Sequence, residues 1–539
     1  MERNALLEVL KKGETFDLLV IGGGATGCGV ALDAASRGLR VALAERGDFG
    51  SGTSGRSTKL VHGGVRYLEA ALLRLDRVQF NLVRDALHER GVLLRIAPHL
   101  CRRIALITPI YRVLEVPYLL AGLKLYDLLS GRAGLGTSRF LGPEEVLRRF
   151  PMIRGEGLKG GVLYYDGQFN DARMNLALAL TAIEQGAAAL NHLEVVGLLR
   201  SGGRVAGATV RERFGGETWE IRARCVVNAG GPWADGVRAL DDPQAKPILR
   251  VSSGSHIVLP RSFAPADTGI TIPKTEDGRV LFILPWLGGC LVGTTDEPAR
   301  PSDHPAPSAG DIDYLLRHLK RYFNLAVQRS DIKAAWTGLR PLVQDAATSD
   351  TARLARDHVV SASPSGLITI VGGKWTTYRK MALDTVNFAI KQGGLRPLRG
   401  CRSDRMVLAG GAGFREGAAP AFALEFGLTQ ESAWHLQRSY GDRASQVAQL
   451  CSGPWREELV PGHPYLKGEL LWALRREMAL RGADFLVRRI PLGLLDQEAA
   501  RAAAPFVLET MARELSWNLE RLEQERLELD LRLQGAGLL

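Results

Sequence analysis

The alternation of apolar and polar positions near the start of the chain predicts a strand, a helix and a second strand. A short apolar run covers residues 17–21, small and apolar residues recur at helical spacing over 25–37, and a second apolar run covers 40–44. Gly38 follows the helical stretch, at the position where a glycine typically ends a helix. The turn before the helix is rich in glycine, which is typical of a nucleotide-binding βα unit.

Farther along the chain, strand patterns and helix patterns alternate. Leu and Val recur at helical spacing over 72–94, and short β-type runs cover 184–220. An apolar run enters a glycine turn at 224–233, strand-like runs lie within 254–296, and a strand, a glycine turn and a helix follow at 366–390. These patterns predict a mixed α/β architecture.

Past about residue 400 the pattern changes to helices rich in Leu, Ala, Arg and Glu. Residues 393–400 contain Gly and Pro, which typically interrupt regular structure. We therefore place a domain boundary near 395–410.

Gly22, Gly24 and Gly27 form the spacing G-x-G-x-x-G in the first turn. Gly22 allows the tight turn, Gly24 lets the backbone approach a pyrophosphate, and Gly27 lets helix and strand pack closely. The pyrophosphate would lie at the helix N-terminus, and Glu45 after the second strand would accept hydrogen bonds from a ribose. The alternative is a glycine-rich turn without a ligand, which the surrounding strand, helix and acidic residue disfavour.

The residues after the second strand favour FAD over a nicotinamide cofactor. A nicotinamide site would continue with another βα repeat, whereas residues 47–64 are rich in Gly, Ser and Thr. Their polar groups can surround the far side of a longer ligand. We therefore expect Ser57, Thr58 and Lys59 to line the flavin end.

Two further glycine turns are assigned to the same cofactor. Gly230 lies in the turn after the apolar run that ends near 228, and Gly373 lies in the turn that leads to Thr376 and Thr377. A helix N-terminus at these threonines would stabilise the negative charge of a reduced flavin. A plain βα crossover with a threonine cap is the alternative.

Composition limits the other possibilities. The chain has 539 residues, which favours two or three globular domains. Its formal charge of +11 has two explanations, composition bias with solubility or attraction to a phosphate, an acidic lipid or a nucleic acid. The six Cys lie far apart and the ten His lack metal-ligand spacing, so we expect a reducing compartment and no metal site. We recognise neither a secretory signal nor an apolar run long enough to cross a membrane.

Several motifs taken together point to one family. They are "IGGGATGCGVALDAASRGL", "SGRSTKLVHGGVRYLE", "RCVVNAGGPWAD", "GSHIVLP", "TGLRPL", "ARDH" and "GGKWTTYRKMA". In this order, and over nearly the whole chain, the sequence resembles the FAD-dependent (aerobic) glycerol-3-phosphate dehydrogenases, which are D-amino-acid-oxidase-like flavoproteins. The resemblance implies hydride transfer from sn-glycerol 3-phosphate to FAD, giving dihydroxyacetone phosphate, and transfer of the electrons to a membrane quinone.

The resemblance also implies the fold class. We expect an α/β fold in which a Rossmann-like FAD-binding domain over 1–395 is interleaved with an antiparallel β-sheet substrate (cap) domain. The cap segments would cover about 85–165 and 250–345, and a C-terminal all-α domain would cover 400–539.

A three-carbon phosphate requires cations in a small pocket, and Arg can bind a phosphate through two parallel hydrogen bonds. By resemblance, Arg340 and Lys374 act in catalysis, while Arg66, Tyr67 and Arg356 bind the substrate. Any one of these arginines, taken alone, is better explained as a solvated surface residue, and only its position inside a motif of the family favours the substrate.

His256 is expected to take the hydroxyl proton, because an imidazole titrates near the operating pH. The alternative is a structural histidine held by hydrogen bonds. His62 lies beside a Gly pair and is expected to be structural or to contact the flavin.

Residues 111–132 are rich in Leu and Tyr and carry a few charged side chains. The pattern predicts a helix that lies on an anionic membrane surface, with a buried helix as the alternative. The resemblance implies a cytoplasmic protein that is peripheral on the inner face of the bacterial cell membrane. The oligomeric state stays open, a homodimer included.

Two other functions are weighed. An oxidase of the same family would pass its electrons to O₂ and form H₂O₂, and the sequence does not decide between the two acceptors. A basic FAD protein that binds or acts on nucleic acid is the second. Its arginines would be clustered, whereas those of this chain are spread, so we expect no nucleic-acid partner.

Overall fold

The computed structural model describes residues 3–64, 77–344 and 358–534. Two large sheets and a helical C-terminal region make up these residues. The predicted α/β fold class with a Rossmann-like FAD-binding domain and a helical C-terminal region is confirmed.

The first sheet has a parallel centre, because β18 (Ile368–Gly372), β10 (Thr218–Asn228), β1 (Phe16–Ile21), β2 (Val41–Ala44) and β7 (Ala188–Leu190) run side by side in the same direction. Nearly every residue of its central strands is buried, as expected for a parallel sheet with helices on both faces. Its strands are β1 (Phe16–Ile21), β2 (Val41–Ala44), β7 (Ala188–Leu190), β8 (Leu193–Ser201), β9 (Arg204–Glu212), β10 (Thr218–Asn228), β17 (His358–Ala362) and β18 (Ile368–Gly372).

The helices that flank this sheet pack closely on one another. Gly29 lies where helices α2 and α9 meet, and a Cβ there would come within 2.8 Å of the Tyr378 ring. The N-cap Asn170 accepts the N–H of Arg173 at 3.2 Å and so starts helix α6. These helices are α1 (Arg3–Lys11), α2 (Ala25–Ser36), α6 (Asp171–Glu184), α7 (Ala234–Asp241) and α9 (Tyr378–Gly393).

The second sheet is mostly antiparallel. Its strands are β3 (Leu60–Val61), β4 (Cys101–Ile110), β5 (Arg139–Leu141), β6 (Gly160–Phe169), β11 (Leu249–Pro260), β12 (Thr268–Ile272), β13 (Leu281–Trp286), β14 (Gly289–Gly293), β15 (Glu297–Pro298) and β16 (Ala334–Val343). Strand β11 pairs with β14 on one side and with β16 on the other. The helices beside the sheet are α3 (Arg77–Ile96), α4 (Glu115–Ser130), α5 (Pro143–Arg149) and α8 (Ala309–Tyr322).

The C-terminal region is helical and packs on the second sheet. One hydrophobic core joins Trp336 of β16 to Leu486 and Ile490 of this region. Its helices are α10 (Ala419–Phe426), α11 (Gln430–Tyr440), α12 (Ala444–Leu450), α13 (Gly468–Arg476), α14 (Leu492–Leu495), α15 (Gln497–Glu514) and α16 (Leu519–Leu533), with a turn of π-helix at Asp484–Arg489. Among the residues described, none of the helices combines the length and the apolar character that crossing a membrane requires.

Candidate active site

A cavity of about 580 Å³ opens at the carboxyl ends of the parallel strands. Its wall includes the residues that end these strands or follow them: Ile21, Gly22, Ala44, Glu45, Ala229, Gly230, Gly372 and Gly373. Ligands of open parallel sheets bind at this edge, because the loops there leave a crevice and the helix N-termini point into it.

The glycines of the first turn are required by close contacts. Gly22 has a φ of +108°, and a Cβ there would come within 2.6 Å of the Ala229 carbonyl oxygen. A Cβ at Gly27 would come within 1.9 Å of the Gly22 carbonyl oxygen, so helix α2 can approach the strand only because this residue is a glycine. Gly24 lies in the cavity wall as the N-cap residue of α2, where the absence of a side chain leaves the backbone open to a ligand.

Glu45 is held at the end of β2 by two backbone groups. Its carboxylate accepts the N–H of Gly23 at 2.6 Å and the N–H of Gly47 at 2.7 Å. Burial raises its pKa, and the two backbone hydrogen bonds oppose that effect. A carboxylate oxygen can accept more than one hydrogen bond, so this fixed group can still receive a ribose hydroxyl.

Ser54 also belongs to the cavity wall. It lies in the polar segment 47–64 that is expected to surround the cofactor, although no sequence signal singles it out. Its hydroxyl accepts the N–H of Ala25 at 2.9 Å, at the first residue of α2. Its carbonyl accepts the indole N–H of Trp375 at 2.8 Å. The glycine turn, the fixed carboxylate and this polar loop together suit an FAD molecule with its pyrophosphate at the helix N-terminus.

His256 lies in the middle of β11, between β14 and β16. Its ring stacks on Trp336, with the ring centroids 4.2 Å apart. On the other side lies Gly293, where a Cβ would come within 2.2 Å of the imidazole. The Nε2 atom lies 3.0 Å from the hydroxyl of Thr58. The ring is therefore held from three sides.

The surroundings of His256 favour a neutral imidazole. The side chain is buried, with an exposed fraction of 2%. Burial lowers its pKa well below the ordinary value of 6.5, and the positive charges of Arg340 and Lys59 act in the same direction. A neutral imidazole can accept a proton, which is what a general base requires.

Lys59 supplies one of these charges from a buried ion pair. Its ammonium donates to Asp171 at 2.7 Å and to the Gly55 carbonyl at 3.0 Å. The same carboxylate accepts the N–H and the hydroxyl of Ser57, each at 2.8 Å. Ser57, Thr58 and Lys59 are not among the described residues that line the 580 Å³ cavity. Their contact with the flavin stays a prediction.

Arg340 lies on β16, opposite Ser252 of β11. Its guanidinium donates to the Ser253 carbonyl at 3.1 Å and to the Thr294 hydroxyl at 3.0 Å. It also lies 3.4 Å from a carboxylate oxygen of Asp296. These contacts hold the partly exposed guanidinium of Arg340 in one orientation. It lies on the same pair of strands, β11 and β16, as His256 and its stacking partner.

The turn after β18 brings further predicted residues to the cavity. Gly373 and Lys374 line its wall. The Thr376 hydroxyl accepts the backbone N–H of His62 at 3.2 Å, and the Thr377 hydroxyl donates to the Lys374 carbonyl at 3.2 Å. This turn therefore connects the cavity wall to the segment that contains His62.

Three predicted substrate-binding residues lie outside the described residues. They are Arg66, Tyr67 and Arg356. Their assignment to the substrate stays a prediction.

A charged cluster, which we call the junction, joins the loop after β2 to the C-terminal region. It consists of Asp48, His192, Asp484, Arg488 and Arg489. The Asp48 carboxylate accepts hydrogen bonds from Arg488 at 2.6 Å and from Arg489 at 2.6 and 2.9 Å. The Asp484 carboxylate accepts from Arg488 at 2.5 Å and lies 2.9 Å from His192 Nε2. All five side chains are buried.

The junction is an ion-pair network rather than a vacant metal site. The ligand atoms of Asp48, His192 and Asp484 lie within 4.8 Å of one another, a spacing that could hold a cation. Both carboxylates, however, already accept hydrogen bonds from arginines. Burial raises the pKa of Asp484, but His192 and Arg488 outweigh it and hold the pKa well below its ordinary value. Because Asp48, His192, Asp484 and Arg488 also border the cavity, the C-terminal region forms part of its wall.

Two family models match the chain. The model for FAD dependent oxidoreductase matches residues 17–379, and the model for the C-terminal domain of alpha-glycerophosphate oxidase matches residues 401–522.

Named relatives match over almost the full chain. A probable mitochondrial glycerol-3-phosphate dehydrogenase of Caenorhabditis elegans is 45% identical and covers 98% of this chain and 75% of that protein. The mitochondrial glycerol-3-phosphate dehydrogenase of Mus musculus is also 45% identical, over 98% of this chain and 74% of its own length.

Solved structures show the same fold. The glycerol-3-phosphate dehydrogenase of Bacillus halodurans, complexed with FAD, is 31% identical, has a TM-score of 0.80, and covers 99% of this chain and 97% of that chain. An L-alpha-glycerophosphate oxidase of Mycoplasma pneumoniae with FAD bound is 16% identical with a TM-score of 0.54, covers 73% of this chain and 98% of that chain, and supports the fold alone.

Proposed function

The chain belongs to the family of the FAD-dependent glycerol-3-phosphate dehydrogenases, and from this premise we propose that it oxidises sn-glycerol 3-phosphate to dihydroxyacetone phosphate. FAD is its cofactor. The observation that carries the proposal is the buried imidazole of His256, held by Thr58 and Trp336 on a strand that pairs with the strand of the cation Arg340.

Bound FAD supplies the acceptor for the hydride of the substrate C2–H. The chain supplies the proton acceptor, because the neutral imidazole of His256 can take the proton of the C2 hydroxyl. Thr58 and Trp336 hold the imidazole ring in place. The resulting imidazolium would form next to Arg340 and Lys59, whose charges favour its rapid return to the neutral state.

We assign the phosphate of the substrate to the cationic side chains of this region. Arg340 is held in one orientation by Ser253, Thr294 and Asp296, so it can orient an anion without first losing side-chain freedom. Lys374 adds a second charge and lines the 580 Å³ cavity, whereas Arg340 and His256 are not among the described residues of that wall. Arg66, Tyr67 and Arg356 are proposed to complete the substrate pocket.

Anaerobic titration tests the reaction. Adding sn-glycerol 3-phosphate to the purified FAD-containing protein should bleach the flavin absorbance, with dihydroxyacetone phosphate formed in equal amount. Glycerol is the matched control, because it lacks the phosphate and should not bleach the flavin at the same concentration. Unchanged absorbance with the phosphate ester would contradict the proposal.

We propose a quinone as the electron acceptor. The alternative within the family is O₂, and the two acceptors are separated by a second mixing step. The protein, first reduced without oxygen, is mixed with a soluble quinone or with oxygenated buffer. Reoxidation that is faster with the quinone supports a dehydrogenase, whereas fast reoxidation by O₂ with release of H₂O₂ supports an oxidase.

Helix α4 supports contact with a membrane surface. Leu114, the N-cap residue of the helix, and Leu128 near its end are 90% and 75% exposed, and Tyr118 lies on the same side with an exposed fraction of 47%. An exposed apolar stripe on a helix is typical of a segment that lies in the membrane interface. We propose that the protein is peripheral on an anionic membrane surface, on the inner face of a bacterial cell membrane. The relatives from Caenorhabditis elegans and Mus musculus are mitochondrial by name.

Membrane contact is tested with vesicles that contain anionic lipid. The wild type should float with the vesicles, and the double variant Leu114→Asp, Leu128→Asp should bind them less while its dye-linked activity is unchanged. A wild type that does not float would contradict the membrane proposal.

A further inference from the structure

A second cavity, of about 490 Å³, lies between helix α3 and the C-terminal end of helix α4. We call it the basic groove, after its side chains Arg84, His88, Arg95 and Arg132. Its other wall residues are small or apolar: Gly91, Val92, Leu94, Leu129, Ser130, Ala133, Gly134 and Leu135. No acidic side chain belongs to the described part of this wall.

The two sides of the basic groove are fixed to each other. Arg90 of α3 is fully buried and donates to Asp166 of β6 at 2.7 Å and to the Ser130 hydroxyl of α4 at 3.0 Å. The hydroxyl of Tyr126 donates to the same Asp166 at 3.0 Å. Next to Arg90, a Cβ at Gly91 would come within 2.5 Å of the Ala133 side chain. The groove therefore has a preformed shape.

Two acidic residues near the groove, Glu89 and Asp127, have partners outside it. Glu89 accepts hydrogen bonds from Arg379 at 2.5 and 2.7 Å. Asp127 accepts the backbone N–H and the hydroxyl of Ser138, at 2.6 and 3.0 Å. Asp85 lies 3.7 Å from the exposed guanidinium of Arg84, which weakens that charge only slightly in water. An anion that enters the groove thus meets a positive wall.

The position of the groove favours an anion that carries an apolar chain. Leu129 lines the groove, and the adjoining Leu128 is on the exposed apolar stripe of α4. A ligand that fits both features has an anionic phosphate and an apolar chain attached to it. Guanidinium groups suit phosphate because their planar fork donates two parallel hydrogen bonds.

We propose that the basic groove binds the phosphate headgroup of an anionic phospholipid while its acyl chains lie against the exposed stripe of α4. This inference rests on the proposed membrane contact and adds a lipid preference to it. The groove would hold α4 against the membrane at one defined place, with the headgroup phosphate next to Arg84 and Arg132.

Vesicle binding with two lipid compositions tests the inference. The FAD-containing wild type should bind vesicles of phosphatidylglycerol and phosphatidylcholine more tightly than vesicles of phosphatidylcholine alone. In the double variant Arg84→Gln, Arg132→Gln, the ratio of the affinities for the two vesicle types should fall by roughly 30-fold, since each removed charge near the surface is worth about 1 kcal/mol. Flavin content and dye-linked activity should be unchanged, which shows that the variant folds.

The matched control removes the same charge elsewhere. Arg222 and Arg526 are exposed and lie on β10 and α16, in other parts of the chain. Arg222→Gln, Arg526→Gln should keep the lipid preference. An equal loss of lipid preference in both double variants would show that net charge alone attracts the protein to the vesicles, and the proposed lipid site in the basic groove would be overturned.

The remaining outcomes separate this inference from the membrane proposal. If the wild type binds both vesicle types equally, the proposed membrane contact is retained, but the proposed lipid site in the groove is refuted. A wild type that binds neither vesicle refutes the membrane contact and with it the groove. Titration of the wild type with inorganic phosphate and with a soluble short-chain phosphatidylglycerol separates the two sources of phosphate. If inorganic phosphate binds more tightly than short-chain phosphatidylglycerol, and the double variant of the groove loses this binding, the groove is a site for free phosphate and the proposal of a lipid ligand is wrong.

Discussion

The junction and the surroundings of His256 are both buried polar clusters, yet their charges are arranged differently. In the junction, Asp48 and Asp484 lie against Arg488 and Arg489, so each buried charge has a partner of opposite sign. Around His256, two cations, Arg340 and Lys59, face an imidazole that they help to keep neutral. Balanced buried charges hold parts of a structure together, whereas a buried group with a shifted pKa is a candidate for chemistry. Substitutions around His256 should therefore lower the rate of flavin reduction, whereas substitutions in the junction should lower the stability of the fold.

The largest effect is expected from His256→Ala. Loss of a general base should slow flavin reduction by roughly 10²–10⁴-fold, with little change in substrate affinity. Rapid anaerobic mixing measures both quantities, because the reduction rate saturates with substrate. His318→Ala is the control, since His318 is also buried but lies on α8 and bonds to the Tyr314 carbonyl. A His256→Ala protein that reduces its flavin at the wild-type rate would leave His62 as the next candidate base.

The next effect is expected from Asp48→Asn, and it should fall on stability. Removing this charge leaves Arg488 and Arg489 buried beside too few carboxylates, and the free energy of unfolding should fall by about 3–5 kcal/mol. Flavin reduction in the folded, FAD-saturated variant should stay near the wild-type rate. Denaturant unfolding measures the first quantity and rapid mixing the second.

The control for Asp48→Asn is an exposed ion pair of the same type. Glu514 lies 2.9 Å from Arg475 at the surface, so Glu514→Gln should cost only about 0–1 kcal/mol. If both variants lose the same stability, the junction contributes no more than a surface pair, and the contrast between the two clusters disappears.

A smaller effect is expected from Arg340→Lys. The variant keeps a positive charge but loses the planar fork, so the affinity for sn-glycerol 3-phosphate should fall by roughly tenfold to a hundredfold, or about 1.5–3 kcal/mol. The limiting rate of flavin reduction should fall less than the affinity. Lys333→Arg exchanges the same two side chains at an exposed position and serves as the control. Unchanged affinity in Arg340→Lys would remove Arg340 from the phosphate site.

The smallest effect is expected from a change of pH. Because burial and the nearby cations lower the pKa of His256 well below 6.5, the imidazole is already neutral at pH 6.5. The limiting rate of flavin reduction in the wild type should therefore be flat from pH 6.5 upwards and should fall only in more acidic buffer. A rate that still rises through pH 6.5 would mean that the base has an ordinary pKa, and the contrast in electrostatics would be wrong.

Short-range features of the structure could be predicted from the sequence. The strand, turn and helix around Gly22 and Gly27 follow from the apolar pattern and the glycine spacing, and the structure places β1 at Phe16–Ile21 and α2 at Ala25–Ser36. The position of Glu45 at the end of β2 follows in the same way. For segment 111–132, the pattern left a buried and an interfacial helix open. The structure buries Leu123 and Tyr126 and exposes Leu114 and Leu128, so one face is buried and membrane contact of the other face stays a prediction.

The sequence by itself determined the cofactor class, the glycine turns and the residue types of the site, because each depends on neighbours within one strand, turn or helix. Only the tertiary structure decided which side chains from distant parts of the chain contact each other. Thr58 meets His256 across 198 residues, and Asp48 meets Arg488 across 440. Lys59, predicted at the flavin end, has its ammonium in an ion pair with Asp171. The physical reason is that such pairs form when sheets and helices pack, so local sequence patterns carry no signal for them.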